Sequence, residues 1–301
     1  MEGKILALAC AVCFGLNPVM LRIGFTRAGS VDAAVIIGLV VAIPLYVALL
    51  PLAGGLRWSE VGTSALVAFA LAGLFGAGIG RRWLFTAIER IGASPATALK
   101  NTAPLFTTAL AIPVLGERIG LVQWAAVISI IIGITLVSWR GGDGGTRRAI
   151  DLGVITALGA ALSYGIRPLI LKFGLTEANL PMTAALIGSV SALVYAVVMS
   201  RPWRLGRAPE APGVARGRLG VLIERPRAFW LFIGAGVAQA LGFLALTFGL
   251  ATDAVSVVYP ITSTAPLFTL AFASLFLRGA EAVTVRLALG VVAVTAGVIV
   301  L

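Results

Sequence analysis

Three basic side chains stand inside two long apolar runs of this sequence. Arg81 and Arg82 lie in a run that extends to about residue 88, and Lys100 lies near the start of the next run. If these runs cross a bilayer, each charge at a helix centre costs about 2.5–3.5 kcal/mol on insertion scales, so it needs a reason to be there. Arginine binds carboxylate and phosphate through two parallel hydrogen bonds, and lysine supplies a point charge. The three residues are therefore predicted to form a basic cluster that holds an anionic group.

An alternative interpretation gives these residues no ligand. Long basic side chains near a helix end can reach the lipid headgroups while their stems stay in the bilayer. Arg81 and Arg82 are also about 100° apart around a helix, so they need not face the same side.

Further polar candidates lie in other apolar runs. Arg167 precedes a proline, which frees a backbone carbonyl and tends to bend a helix, and bent helices beside polar groups are typical of transporter sites. Asn17 and Asn101 are uncharged binding candidates. A structural kink is the alternative for Arg167, and an interhelical hydrogen bond is the alternative for the asparagines. The prolines predicted to bend helices or to act in gating are Pro18, Pro104, Pro168 and Pro266.

The composition places these runs in a membrane. Of 301 residues, 59% are hydrophobic and 12% are charged, and the mean hydropathy is +1.05, whereas a soluble domain is about a quarter charged. The net charge of +11 indicates loop arginines that face anionic lipid rather than a nucleic acid partner. The chain has no histidine, which excludes a Ser-His-Asp triad, a histidine metal site and a histidine proton relay. Neither a cofactor nor an enzymatic activity is predicted.

Ten apolar runs are long enough to cross a bilayer as helices of about 20 residues. Because an unpaired strand edge is not tolerated in lipid, the predicted fold class is an all-α integral membrane protein with ten transmembrane helices. The longest connection, about residues 201–227, is rich in arginine, proline and glycine and is predicted to be a loop. The ten runs cover roughly residues 4–24, 31–52, 62–88, 94–115, 119–139, 152–174, 180–200, 228–250, 254–277 and 282–301.

The two halves of the chain repeat each other. Residues 103–107 recur letter for letter at 265–269. Shifts of 150, 162 and 164 positions pair, respectively, Asn17 with Arg167, Gly80 with Gly242 and Gly133 with Gly297. Each half holds five predicted helices, and because five is odd the second half crosses the membrane in the opposite direction. The sequence therefore predicts two inverted five-helix repeats, residues 1–140 and 141–301, an architecture of secondary transporters.

The repeat is asymmetric where its charges lie. The shift of 162 positions places three uncharged residues opposite the basic cluster. The pairs are Arg81 with Phe243, Arg82 with Leu244 and Lys100 with Thr262. A purely structural role would more easily be shared by both halves, so the asymmetry favours a binding role.

The architecture and its motifs resemble the drug/metabolite transporter superfamily, in its EamA-type branch. The fourth helix of each half carries a small-residue and proline segment, at 102–106 and 264–268, and Glu117 or Glu281 opens the fifth. The resemblance covers essentially the whole chain. It implies a multi-pass protein of the cytoplasmic membrane that moves small metabolites through a central cavity. The implied partners are a small-molecule substrate and the lipid bilayer, and a homodimer is left open.

The acidic residues bear on the substrate class. All of them lie at predicted helix ends or in loops, and the first run has Asn17 in place of an acid. Small multidrug-resistance proteins, distant relatives of this superfamily, use a first-helix carboxylate to exchange protons for cationic drugs, so that activity is disfavoured. The sequence predicts a secondary transporter that moves an anionic or zwitterionic metabolite by alternating access. Two alternatives stay open: an exporter of amino acids or amphipathic metabolites with structural arginines, and a flippase of a phosphate-bearing lipid-linked substrate, with a cavity open sideways.

Two signals disagree about orientation. Fifteen basic residues fall on one face of the predicted bundle and four on the other, so the positive-inside rule puts both termini outside. The resemblance implies that both termini are cytoplasmic.

Overall fold

The computed structural model describes residues 2–28, 31–55, 57–103, 105–106, 121–138, 144–200, 226–252, 261–277 and 284–300. Within these ranges the chain is helical and has no strand. The α-helices are α1 Glu2–Ala28, α2 Val31–Leu49, α3 Thr63–Gly73, α4 Arg81–Ile91, α5 Ala93–Lys100, α6 Leu121–Ser138, α7 Gly144–Glu177, α8 Pro181–Ser200, α9 Pro226–Thr252, α10 Ala265–Phe276 and α11 Val285–Val300. Each of the ten predicted apolar runs contains helix in its described part.

Six stretches among the described residues are long and apolar enough to cross a membrane. The third of them, Thr63–Ile91, is composed of α3, a π-helical segment over Leu74–Gly80, and α4. Two shorter apolar helices, α10 and α11, lie in the last two predicted runs. The other spans are Gly3–Arg27, Val31–Leu49, Leu152–Glu177, Pro181–Met199 and Pro226–Leu246.

The third span ends at Ile91, three residues later than predicted, and two features explain where it stops. Gly92 has φ 98°, in the left-handed region that glycine favours at helix ends, and its N–H donates to the carbonyl of Ile88. From α1, Arg22 donates to the carbonyls of Ile88, at 3.0 Å, and Glu89. These donors satisfy carbonyl groups that a helix end leaves without partners.

At two crossings that the repeat relates to each other, glycine brings helix backbones into contact, and each crossing joins one helix from the first half to one from the second. A Cβ on Gly236 of α9 would lie 3.0 Å from the Cα of Gly38 in α2. A Cβ on Gly188 of α8 would lie 3.1 Å from the Cα of Gly73 in α3. Gly38 and Gly188 are paired by the shift of 150 positions. The same small-residue packing, which lets membrane helices approach closely, is thus built twice.

Helices α6 and α11 cross at residues that the repeat pairs with each other. A Cβ on Gly133 would meet Val294 and the Gly290 carbonyl, and one on Gly297 would meet Ile130 and the Ala126 carbonyl. The two sets of contacts are equivalent under the shift of 164 positions, which pairs Gly133 with Gly297, Ile130 with Val294 and Ala126 with Gly290. The hydrogen bond from Ser129 Oγ to the Ala293 carbonyl, 2.9 Å, also joins two residues 164 positions apart. Reciprocal contacts of this kind occur where a twofold axis passes through an interface, so the pseudo-twofold axis runs between α6 and α11.

The duplicated proline segments interrupt their helices in the same way. Thr102 Oγ1 donates to the Leu99 carbonyl at 2.7 Å, and Thr264 Oγ1 donates to the Ile261 carbonyl at 2.6 Å. Each threonine carbonyl then accepts from the leucine three residues on, at 2.9 Å in both halves. Lys100 therefore sits at the end of α5, next to a break rather than inside a continuous helix.

Candidate functional site

Arg81 and Lys100 lie deep in two consecutive helices. Arg81 opens α4 and is ten residues from its end at Ile91, which is roughly 15 Å along the helix axis. The sequence predicted roughly 10 Å for Arg81, because the predicted run stopped at 88. Lys100 is seven residues past Ala93, at roughly 10 Å from the same membrane face.

Tyr164 of α7 joins these two cations. The Lys100 Nζ lies 5.2 Å from the centroid of the Tyr164 ring, a cation–π distance. The Arg81 and Tyr164 side chains are joined by a hydrogen bond. Gly80 makes room for the ring, since a Cβ there would lie 3.3 Å from Tyr164 Cε2. Sequence reasoning missed Tyr164, although the shift of 150 positions pairs it with Phe14 and so marks a hydroxyl present in one half only.

Arg167 lies one turn along α7 from Tyr164 and has its own aromatic partner. Its guanidinium carbon is 5.1 Å from the centroid of the Phe243 ring in α9. The stem of Arg167 packs over Gly76 of the π-helical segment, where a Cβ would lie 2.8 Å from Arg167 Nε. Arg167 interacts electrostatically with both Arg81 and Lys100. The structure therefore brings three of the predicted basic residues to one region, between the two halves of the bundle.

The π-helical segment decides which arginine faces this region. Its wider turn leaves the Phe75 carbonyl to accept a hydrogen bond from Ser163 Oγ of α7 at 2.6 Å. Each extra residue in a π turn rotates the side chains that follow by about 100° relative to an unbroken α-helix. Arg81 meets Tyr164, whereas Arg82 points to α2.

Arg82 is paired with an acid and does not share Tyr164. Its Nη1 lies 2.9 Å from Asp32 Oδ1, and both side chains are about one-third exposed, at 31% and 37%. The pair lines a small cleft with Val35, Tyr195 and Ala196. The predicted cluster of three is thus divided: Arg81 and Lys100 share an aromatic partner, and Arg82 forms an ion pair between α2 and α4.

The residues that the repeat pairs with this ion pair are apolar. The shifts of 150 and 162 positions pair Asp32 with Met182 and Arg82 with Leu244. Met182 and Leu244 are buried in one apolar cluster with Tyr46. The α2 and α8 helices enter the membrane from opposite faces, because α8 is the fifth span after α2 in the ten-span order. The protein thus has an ion pair at one position of the repeat and packed apolar side chains at the related position.

Reversing the ion pair is expected to lower stability in a way that a second reversal restores. Arg82→Asp puts two carboxylates side by side and should cost about 1 kcal/mol, because the pair is partly exposed. Adding Asp32→Arg should recover most of the melting temperature of the purified protein. The same exchange at the exposed Arg57–Glu60 pair is the control and should change little. A double variant no more stable than either single variant would contradict the pairing.

The two asparagines make hydrogen bonds between the halves. Asn17 is buried in α1 and its Nδ2 donates to the Ala235 carbonyl at 2.7 Å. Asn101 Nδ2 donates to the Ser263 carbonyl at 3.1 Å. The shift of 162 positions pairs Asn101 with Ser263, so this contact also lies at the pseudo-twofold axis. These are the interhelical bonds given as the alternative to substrate binding.

The prolines differ in where they fall. The helices α1 and α7 run without a break past Pro18 and Pro168. Pro266 is buried in the first turn of α10. Backbone N–H groups in a first turn have no partner within the helix, so the missing N–H of proline costs no helical hydrogen bond there. Pro104 lies outside the described residues.

The scaffold around the three cations is one that known proteins share. The sequence model of the EamA-like transporter family matches residues 1–139 and 151–301, one match in each half. The chain belongs to the EamA-like transporter family. This EamA-like protein is therefore a multi-pass, all-helical membrane transporter of small molecules built from two repeats, and not an enzyme. The resemblance and the fold class predicted from the sequence are confirmed.

Solved structures share the fold of this EamA-like transporter. A crystal structure of a protein superposes with a TM-score of 0.57 over 99% of this chain and 95% of its own, at 16% identity. That identity is low enough for the likeness to show the fold alone. No curated protein sequence matches the chain.

The three cations of the candidate site of this EamA-like transporter have no acidic partner in the described part of the chain. Among residues that the structure describes, no carboxylate forms an ion pair with Arg81, Lys100 or Arg167. All three are half-buried. Three positive charges held close together without a counter-ion repel one another, so a bound anion would stabilise this arrangement.

A separate groove of about 570 Å³ opens sideways between α3 and α7 of the EamA-like bundle. Its lining is mostly apolar and contains none of the three cations. It is lined by Thr63, Ser64, Val67, Ala68, Leu71, Leu169, Ile170 and Phe173.

Proposed function

We propose that this protein is a secondary transporter of small organic anions in the cytoplasmic membrane, and that it works by alternating access between its two repeats. Arg81, Lys100 and Arg167 hold the anionic group. The substrate leaves when the repeats rock about the pseudo-twofold axis and expose the site to the other face. The homodimer left open by the sequence stays a prediction.

One observation carries the proposal: three cations meet between the repeats without an acidic partner among the described residues. Aromatic rings hold the cations in place, Tyr164 for Arg81 and Lys100 and Phe243 for Arg167. A ring attracts a cation by about 0.5–2 kcal/mol but does not neutralise its charge. The cations are thus positioned in advance and keep their charge for a ligand, which lowers the ordering cost of binding.

The alternatives receive less support from the contacts. A flippase of a phosphate-bearing lipid needs a sideways opening that meets the cations, and the groove between α3 and α7 is lined by none of them. An exporter with purely structural arginines would have those arginines in ion pairs or hydrogen-bonded to backbone, as Arg82 and Arg22 are. Arg81 and Arg167 instead contact side chains that carry no charge to balance theirs.

Flux measurements in proteoliposomes test the proposal. Efflux of labelled propionate, succinate, alanine and choline would be compared for the purified protein and for Arg81→Gln. We expect at least one anion to move faster than alanine and choline, and Arg81→Gln to slow it at least 10-fold, since a hydrogen bond to a charged group contributes about 1.5–3 kcal/mol. The matched control is Arg57→Gln, an exposed arginine, which should transport normally.

Preference for choline or alanine, with a rate that Arg81→Gln leaves unchanged, would reject the anion proposal. It would assign the three cations a structural role.

A further inference from the structure

The three cations are divided between two places on one helix face. Arg81 and Lys100 both contact Tyr164, and Arg167 stacks on Phe243. Tyr164 and Arg167 are three residues apart in α7, and side chains at that spacing lie on one face with about 5–6 Å between their Cβ atoms. The site thus has a two-cation position at Tyr164 and a one-cation position about one helical turn away.

The number of charges sets which anion fits best. A monoanion bound at Tyr164 leaves Arg167 without a negative partner in the described part of the site. In surroundings less polar than water the attraction between opposite charges is stronger than in bulk solvent, so a second negative group has a strong electrostatic incentive to bind at Arg167. The gain is largest when that group is one helical turn from the first.

The cations are also prevented from converging on one group. Arg167 is held on Phe243 in α9, and its stem lies over Gly76, whereas Arg81 is fixed to Tyr164 by a hydrogen bond. Arg81 and Arg167 repel each other, which keeps the two positions apart. The two guanidinium groups are therefore held by different partners, one at Tyr164 and the other at Phe243.

We propose that the site takes a small organic dianion whose two negative charges are on separate groups, one at Arg81 and Lys100 and the other at Arg167. This proposal rests on the proposed function, because it concerns the same site, and it names the substrate class. Short-chain dicarboxylates have this chemistry, and so do small molecules that carry one phosphate and one carboxylate.

Ligand-induced stabilisation tests the charge number directly. The melting temperature of the purified protein would be titrated at neutral pH with propionate, succinate and inorganic phosphate. A ligand that binds only the folded state raises the melting temperature according to its concentration relative to Kd. We expect succinate to act at concentrations at least 10-fold lower than propionate. Inorganic phosphate, with its charge on one group, should act less strongly than succinate.

Arg167→Gln is the decisive variant, since it removes one position and leaves the other. It should weaken succinate binding about 10-fold, to the level of propionate, and weaken propionate binding by a much smaller factor. Phe243→Leu tests the same position without removing a charge and replaces Arg167→Gln if that variant does not fold. Arg57→Gln is the control and should bind all three anions as the unmodified protein does.

The outcomes separate this proposal from the proposed function. Equal binding of propionate and succinate, or an equal loss of both in Arg167→Gln, overturns the dianion and leaves an anion transporter. Stronger binding of phosphate than of succinate overturns the two-group arrangement. If none of the three anions stabilises the protein and none is transported, both proposals fall.

Discussion

Gly73→Leu is expected to prevent the third span from docking on α8. At this crossing a Cβ on Gly188 would already lie 3.1 Å from the Cα of Gly73 and 3.3 Å from the Phe69 carbonyl. The neighbours are backbone atoms, which cannot rotate away as a side chain can. Overpacking against side chains costs about 1–3 kcal/mol, and we expect this variant to reach or exceed the upper end of that range.

The measurement is the melting temperature and the fraction of monodisperse protein after detergent extraction. Gly188→Leu and Gly236→Leu should lower stability in the same way as Gly73→Leu. Gly188 lies at the same crossing as Gly73, and Gly236 makes the equivalent contact with Gly38. Gly62→Leu is the control, since Gly62 has φ −67° and only Ser64 Oγ near its Cβ position, at 3.9 Å. Normal melting of the Gly73 variant would show that the two backbones are not in contact.

Gly76→Ala is expected to damage the site and spare the fold. The added Cβ would lie 2.8 Å from Arg167 Nε, which is too close, and the flexible end of Arg167 can move to relieve the clash. The guanidinium would then leave the Phe243 ring. We expect anion affinity to fall about 10- to 100-fold, the equivalent of about 1.5–3 kcal/mol for a hydrogen bond to a charged group. The melting temperature without ligand should change by only a few degrees.

Titration of succinate by thermal stabilisation measures this loss. Gly62→Ala is the matched glycine-to-alanine control, because Gly62 immediately precedes the same span and has no contact with Arg167. Unchanged affinity in Gly76→Ala would mean that the position of Arg167 does not matter to the ligand. A large drop in stability would instead mean that Arg167 cannot move, and that its contact with Gly76 is part of the packed core.

The fold was predictable from the sequence because hydropathy and repetition act over whole spans. The ten apolar runs and the paired motifs required no knowledge of contacts. Local helix geometry was not predictable in the same way. The π-helical segment at Leu74–Gly80 falls in a run of small and apolar residues that looks like an ordinary span, and its stabilising bond comes from Ser163, 88 positions away. Such a tertiary bond leaves no local pattern.

The candidate site was predictable in its charges but not in its pairing. Arg81, Lys100 and Arg167 stood out because charge in an apolar run is costly. That Arg82 would pair with Asp32 depended on the rotation introduced by the π-helical segment, which sequence spacing does not show. The sequence did not single out Tyr164 and Phe243 as site residues, since aromatic residues are common in membrane helices. Only their contacts with cations distinguish them.

The ion pair and the apolar cluster that the repeat relates to each other differ in their sensitivity to salt. The Debye length falls from about 10 Å at 0.1 M ionic strength to about 3 Å at 1 M, so concentrated salt screens a partly exposed pair such as Asp32 and Arg82. The apolar cluster that contains Met182 and Leu244 has no charge to screen, and excluded salts strengthen apolar burial. Concentrated salt therefore weakens the ion pair and leaves the apolar cluster intact, so two positions that the repeat relates to each other respond to salt in different ways.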